Sequence, residues 1–141
     1  PDISPEVYHL RNKMDEKGLD FSLDCHGDEA LPYNFIACFE GVPDLNQYNL
    51  DTAYLFGREL ESVNPDFQNE KGYTKSAPGT GNLGISTNQI AHRFDAVAMT
   101  LEMPFKDTVD NPNPETGWSP ERSIKLGYST LDALSAIIER L

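Results

Sequence analysis

Apolar positions recur at helical spacing in four stretches of this chain and run almost unbroken in three others. Ser4-Pro5-Glu6 reads as a helix start, with Ser as N-cap, Pro at the first helical position and an acid in the first turn. Val7, Leu10 and Met14 follow on one face, and Gly18 stops the helix. Residues 19–25 then read as a strand, and residues 35–39 as a second strand or its edge. Asn49 or Asp51 caps a helix that buries Ala53, Leu55, Phe56, Leu60 and Val63 and ends at Asn64-Pro65. Ser86-Thr87 caps a short helix carrying Ile90 and Phe94, ahead of a strand over residues 96–103. Ser119-Pro120-Glu121 repeats the opening start signal, and the last helix is expected to bury Ile124, Leu131, Leu134, Ile137 and Ile138. This order of elements favours an α/β layered sheet.

Two segments break the pattern. Residues 65–85 hold Pro65, Gly72, Pro78, Gly79, Gly81 and Gly84 and show no apolar period. A loop of that length inside a compact domain is uncommon and is usually functional or mobile. Residues 107–118 form a second turn-rich segment.

The chemistry sits where polar residues interrupt the apolar runs. The strand over 19–25 carries Asp24 and delivers His26 at its end, where open α/β sheets put their chemistry. Gly27 lets backbone approach a ligand closely, and Asp24, Asp28 and Glu29 are possible acceptors around the ring. Asp28 and Glu29 also read as solvated loop acids, and a single histidine at a strand end also serves structure. Glu102 lies inside the second run, VAMTLEMPF. A buried carboxylate costs several kcal/mol without a partner, a proton or a metal. It is either a general base or one half of an ion pair with Arg93 or Lys106. Tyr73, in the glycine-rich loop, is a substrate-gripping phenol or an ordinary loop aromatic. His9 and His92 read as surface histidines, without the spacing that puts two ligands on one helical face. Phosphate-binding glycine loops, a Gly-x-Ser-x-Gly elbow and a Cys-x-x-Cys pair are all missing, which leaves nucleotide and serine or cysteine nucleophile chemistry without its minimal parts.

Composition narrows the field. At 141 residues the chain is one domain's worth, and 38% apolar content supplies a core. A formal charge of −12, with 11 Lys and Arg, argues against nucleic acid and against an anionic membrane surface. No stretch approaches the ~20 apolar residues that span a bilayer. Cys25 and Cys38 lie in apolar runs and read as free buried thiols, from which a cytoplasmic location is expected. With Pro1 in place of an initiator Met and no signal sequence visible, the chain is expected to be a processed product or a piece of a longer protein.

SPEV near the start, LDCHGDEALPYNF, APGTGNLGISTNQIAHRF, TLEMPFKD and the closing WSPERSIKLG resemble the zinc metallocarboxypeptidases of the carboxypeptidase A superfamily, in their bacterial cytosolic-carboxypeptidase-like branch. The resemblance covers nearly the whole chain. It implies a three-layer α/β/α fold with a mixed sheet, of which residues 1–141 form the C-terminal portion of a single catalytic domain. It implies Zn2+ as cofactor, with His26 as the third ligand, and Glu102 as general base and proton shuttle. Gly27 would lie along the substrate backbone, residues 65–85 would be the flap, and Tyr73 is the nearest counterpart of the family's flap tyrosine. The implied activity is removal of C-terminal residues from peptides or proteins. In the family a His-x-x-Glu motif and the Asn-Arg pair that grips the substrate carboxylate precede the third ligand, and neither is found ahead of His26 here, so the chain alone is expected to bind zinc poorly and to lack activity. A catalytic zinc takes three protein ligands and a water. Branch relatives that trim glutamate tails would want basic pocket residues, for which Lys75, Arg93 and Lys106 are available. Rival readings are a zinc-dependent N-acyl amino acid amidohydrolase and a catalytically silent binding module of the same fold. A part-enzyme is also expected to self-associate through its exposed core.

Overall fold

The computed structural model describes residues 2–141. Four α-helices, α1 (Pro5–Lys17), α2 (Gln47–Val63), α3 (Ser86–Phe94) and α4 (Pro120–Ile137), surround a mixed sheet of β1 (Phe21–Asp28), β2 (Phe35–Ala37) and β3 (Val97–Pro104). The strand order is β1-β3-β2, with β1 parallel and β2 antiparallel to β3. β3 is central and buried along nearly its whole length, which is why its sequence is a continuous apolar run instead of an alternation. β1 is an outer strand, exposed at Cys25, His26 and Gly27.

The core is one cluster joining β3 to α2 and α4. Val97, Met99 and Leu101 meet Phe56 and Leu60 of α2 and Leu126, Ala133 and Ile137 of α4, with Phe39 alongside. Each large side chain buried there contributes about 1.5–3 kcal/mol. α4 starts as its sequence signals, with the Ser119 hydroxyl accepting from the Arg122 backbone N–H.

Several expectations meet corrections. α1 forms over the residues read as a helix, yet none of its residues is buried, and Val7 and Leu10 are exposed. β1 continues through Asp28, so His26 lies inside the strand and Asp28 is a buried strand residue, not a loop acid. α2 is capped by Asn46, whose side chain accepts from the Tyr48 N–H, one turn earlier than Asn49 or Asp51. In α4 only Ile137 of the expected set is fully buried. Ile124, Leu131 and Ile138 face outward, and Leu126, Ser129 and Ala133 take the inner face. Val63 of α2 is also exposed. Both cysteines are free, but Cys25 is exposed, and only Cys38 is held in a wall of the fold. Burial first, then the neighbouring Glu40, pushes the Cys38 thiol up to about 12.

The two irregular segments are tied down by side chains. Residues 107–118 gather around Arg122, whose guanidinium donates to Asp66 (2.6 Å), Asp107 (2.7 Å) and the carbonyls of Gly117 and Asn111, and lies 4.8 Å from the Trp118 ring. Residues 65–85 run as a strap from α2 to α3 across a cavity of about 540 Å³.

Candidate active site

Strand register builds the site. His26 of β1 is directly opposite Glu102 of β3, so the two residues that interrupt the apolar runs become neighbours. Side chains two apart on a strand share a face, which sets Asp24 beside His26 and Thr100 behind Glu102. His26 Nε2 lies 3.1 Å from Asp24 Oδ1, and Nδ1 lies 3.7 Å from Glu102 Oε1. His26, Glu102, Tyr73 and Thr100 all line the 540 Å³ cavity.

Glu102 is 6% exposed. Burial pushes its carboxyl above the usual glutamate range, His26 and the Tyr73 hydroxyl pull it back, and the nearby charges of Asp28 and Asp24 add to the rise. Neither Arg93 nor Lys106 pairs with it: Arg93 forms a two-pronged contact with Asp15 of α1. A buried carboxylate without a cationic side chain from the core is suited to exchange a proton with something entering the cavity.

Tyr73 is brought to Glu102 by the strap, with its hydroxyl 3.4 Å from Oε1. Its ring stands edge-on to Phe35 at 4.9 Å between centroids. Burial, then the carboxylates of Glu102 and Asp28, raises the Tyr73 phenol well above the ordinary tyrosine value. Gly27 lies under Phe105, and a Cβ there would run into that exposed ring, which would have to shift.

Other residues join the site: Asp28, already read as an acceptor near the ring, and Thr87 and Thr100, which the sequence reading left aside. Asp28 is 4% exposed; one oxygen accepts from the Ala30 N–H at 2.8 Å and the other has no hydrogen-bond partner. Thr87 and Thr100 share a 2.6 Å hydroxyl–hydroxyl bond on the cavity wall. Thr100 was findable from its spacing of two from Glu102. Thr87 comes from another element and left no such signal. Of the three basic residues available for an acidic substrate, only Lys75 lines the cavity.

As a metal centre the set is partial. An imidazole with one nitrogen against a carboxylate and the other turned toward a second carboxylate has the donor chemistry of one metal ligand with its orienting partner. Among the described residues no group of three or more His, Cys, Asp and Glu side chains converges to hold an ion. His26 thus fits one ligand position and not a whole site. No helix of the described residues is long and apolar enough to cross a membrane.

No family model matches the chain. An uncharacterized protein of Zymomonas mobilis is 49% identical over 138 residues, which is 98% of this chain and 36% of that protein. A protein of Shewanella denitrificans assigned provisionally as carboxypeptidase A superposes with a TM-score of 0.94 at 44% identity, over 97% of this chain and 36% of that one. A metallo-carboxypeptidase of Pseudomonas aeruginosa, solved with (2-guanidinoethylmercapto)succinic acid, gives 0.93 at 41% identity over the same shares. A metallo-carboxypeptidase of Burkholderia cenocepacia gives 0.90 at 36% identity, over 98% of this chain and 36% of that one. The chain spans about a third of the length of the relatives it matches. Its structural neighbours are metallo-carboxypeptidases, and its fold is that of the C-terminal part of carboxypeptidase-like structures.

Proposed function

We propose that residues 1–141 are the C-terminal portion of the catalytic domain of a zinc-dependent metallocarboxypeptidase that removes C-terminal residues from peptides. The observation that carries this is the pairing of His26 with Glu102 across β1 and β3 at the wall of the cavity, in a chain whose neighbours are metallo-carboxypeptidases. His26 is one ligand of the metal, oriented by Asp24, and the remaining ligands come from outside these residues. Zinc, when bound, polarises the scissile carbonyl and a water.

Glu102 accepts the proton of that water and returns it to the leaving amine, and the burial that raises its pKa favours the protonated form it holds between the two steps. Tyr73 donates its hydroxyl into the same space from the strap. β1 is the outer strand, and a substrate backbone would lie along it at the exposed Gly27. The substrate is a peptide or protein C-terminus, a reading supported by the dicarboxylate held by the Pseudomonas protein. The proposal places the enzyme in the cytoplasm, in keeping with two unpaired cysteines.

The test is Glu102→Gln in the full-length protein. Zinc content measured by atomic absorption should stay at the wild-type level, while turnover of peptides falls by about 10²- to 10⁴-fold. Undiminished turnover removes Glu102 from this role. Turnover of N-acyl amino acids in place of peptides by the wild type would replace the carboxypeptidase reading with the amidohydrolase one.

A further inference from the structure

The strap is fixed on either side of the cavity but not over it. On one side the Gln68 N–H donates to the Asn34 carbonyl at 3.3 Å, and Asn69 Nδ2 donates to the Gly57 carbonyl at 3.0 Å and to Glu61 at 2.8 Å. On the other side the Gly81 N–H donates to the Gly41 carbonyl at 2.7 Å. Gly41 has φ 82°, and a Cβ there would lie 2.6 Å from the Ala77 carbonyl oxygen, so strap and wall touch backbone to backbone. Between these anchors, among the described residues, no backbone hydrogen bond ties residues 72–75 to the rest of the chain.

Side chains therefore hold the crossing. Tyr73 reaches Glu102 at 3.4 Å, a long contact. Lys75 makes the short ones. Its ammonium donates to the Tyr54 hydroxyl at 2.9 Å and lies 3.1 Å from Glu40 Oε1, and the Tyr54 hydroxyl in turn donates to the same Oε1 at 2.8 Å. The ammonium also stands 4.4 Å from the centre of the Tyr54 ring. The Glu40 side chain is 15% exposed, so a bare carboxylate there would be costly. The three groups satisfy one another: the Lys75 side chain is 63% exposed, and its ammonium meets the mostly buried Glu40 carboxylate through a charge-assisted contact shared with Tyr54. Both Glu40 and Tyr54 belong to the cavity wall, from the segment after β2 and from α2, while Lys75 is the strap's own residue.

We infer that Glu40, Tyr54 and Lys75 form a latch that holds the strap against the cavity wall, and that Lys75 is the positioning residue that keeps Tyr73 beside Glu102. Only Thr74 separates Tyr73 from Lys75, so fixing the lysine leaves the tyrosine little freedom to leave the site. Without the latch, the strap must be ordered each time a ligand binds, and that cost moves into the binding step.

Limited chymotrypsin digestion of the full-length protein tests the latch without reference to its own activity. Cleavage after Tyr73 should be about tenfold faster in Lys75→Met and in Glu40→Gln than in the wild type, with the urea unfolding midpoint unchanged. Lys75→Arg, which keeps the charge, should restore slow cleavage. Unchanged cleavage after Tyr73, or faster cleavage with a lowered unfolding midpoint, overturns the latch, the second because it would mean general loosening. A kinetic arm rests on the carboxypeptidase reading: the KM of Lys75→Met for peptides should rise about fivefold with kcat nearly constant. A wild type that cleaves no peptide sinks the carboxypeptidase reading, while the digestion result still decides the latch.

Discussion

Single residues in this chain matter through the partners that would be stranded without them. The Thr87–Thr100 hydroxyl pair is the clearest case, since both residues are buried and joined by a 2.6 Å bond between α3 and β3. Thr87→Val keeps the shape but leaves the Thr100 hydroxyl without its partner. That should cost about 1–2 kcal/mol, read as a lowered midpoint in urea unfolding at constant slope. Thr100 is also the residue directly behind Glu102 on its strand, so the same substitution disturbs the wall of the cavity. Asp28 shows the opposite condition. A buried strand acid with one oxygen unpaired is tolerated next to Tyr73 and Glu102, where it adds negative field to a site that already holds a buried carboxylate.

At the scale of elements, Arg122 staples three separate pieces: the start of α4, the segment after β3 and the first residues of the strap. Its side chain and that of Asp66 are 12% and 11% exposed. Arg122→Met should lower stability by about 3 kcal/mol, because Asp66 then stays partly buried without its cation. The pH dependence has a definite sign. The Arg122 guanidinium holds the Asp66 carboxyl below the usual aspartate range, with Asn111 and Lys125 assisting and burial opposing. The folded carboxyl therefore titrates below the unfolded one. Its contribution is whole above the ordinary aspartate value of about 4 and is lost as pH falls through the folded value. Thermal melts between pH 7 and pH 2 should show this acid loss in the wild type and less of it in Arg122→Met. Elements were also where the sequence was most and least legible. β3 was readable because a strand buried on both faces leaves an unbroken apolar run, and its one acid then stands out. α4 carries two apolar stripes, one through Leu126, Ala133 and Ile137 and another through Ile124, Leu131 and Ile138, and periodicity alone cannot tell which one a neighbour covers. The same holds for α1, which forms where its signals put it although the Ser4 side chain makes no capping bond, while none of its residues is buried. The cavity triad was illegible, because Glu40, Tyr54 and Lys75 meet through the path of the strap and share no spacing.

As a whole molecule, the chain combines a net charge of −12 with apolar side chains left open on several faces. Val7 and Leu10 on α1, Ile124, Tyr128 and Leu131 on α4, and the free edge of β1 are surfaces that another protein surface would cover. Like charge keeps copies apart at low salt, and screening removes that protection. Residues 1–141 purified alone should therefore sediment near 15.7 kDa at low ionic strength and as larger species at about 0.5 M salt, where the Debye length shrinks to a few ångströms. A sedimentation coefficient indifferent to salt would mean that these faces do not attract one another.

The parallel pairing of β1 with β3 has a kinetic side. Phe21 meets Val97, and everything between them, including α2, α3 and the strap, must be looped out before the first rung of that ladder can form. Closing so long a loop is entropically expensive and returns its gain only once the ladder is complete. His26 and Glu102 sit far along that ladder, so they meet only when it closes. Helices can form from local contacts, but the acid–imidazole pair comes into being only with the long-range closure of β1 on β3. A nascent or half-folded copy is thus a chain without a site, whatever helix it already contains.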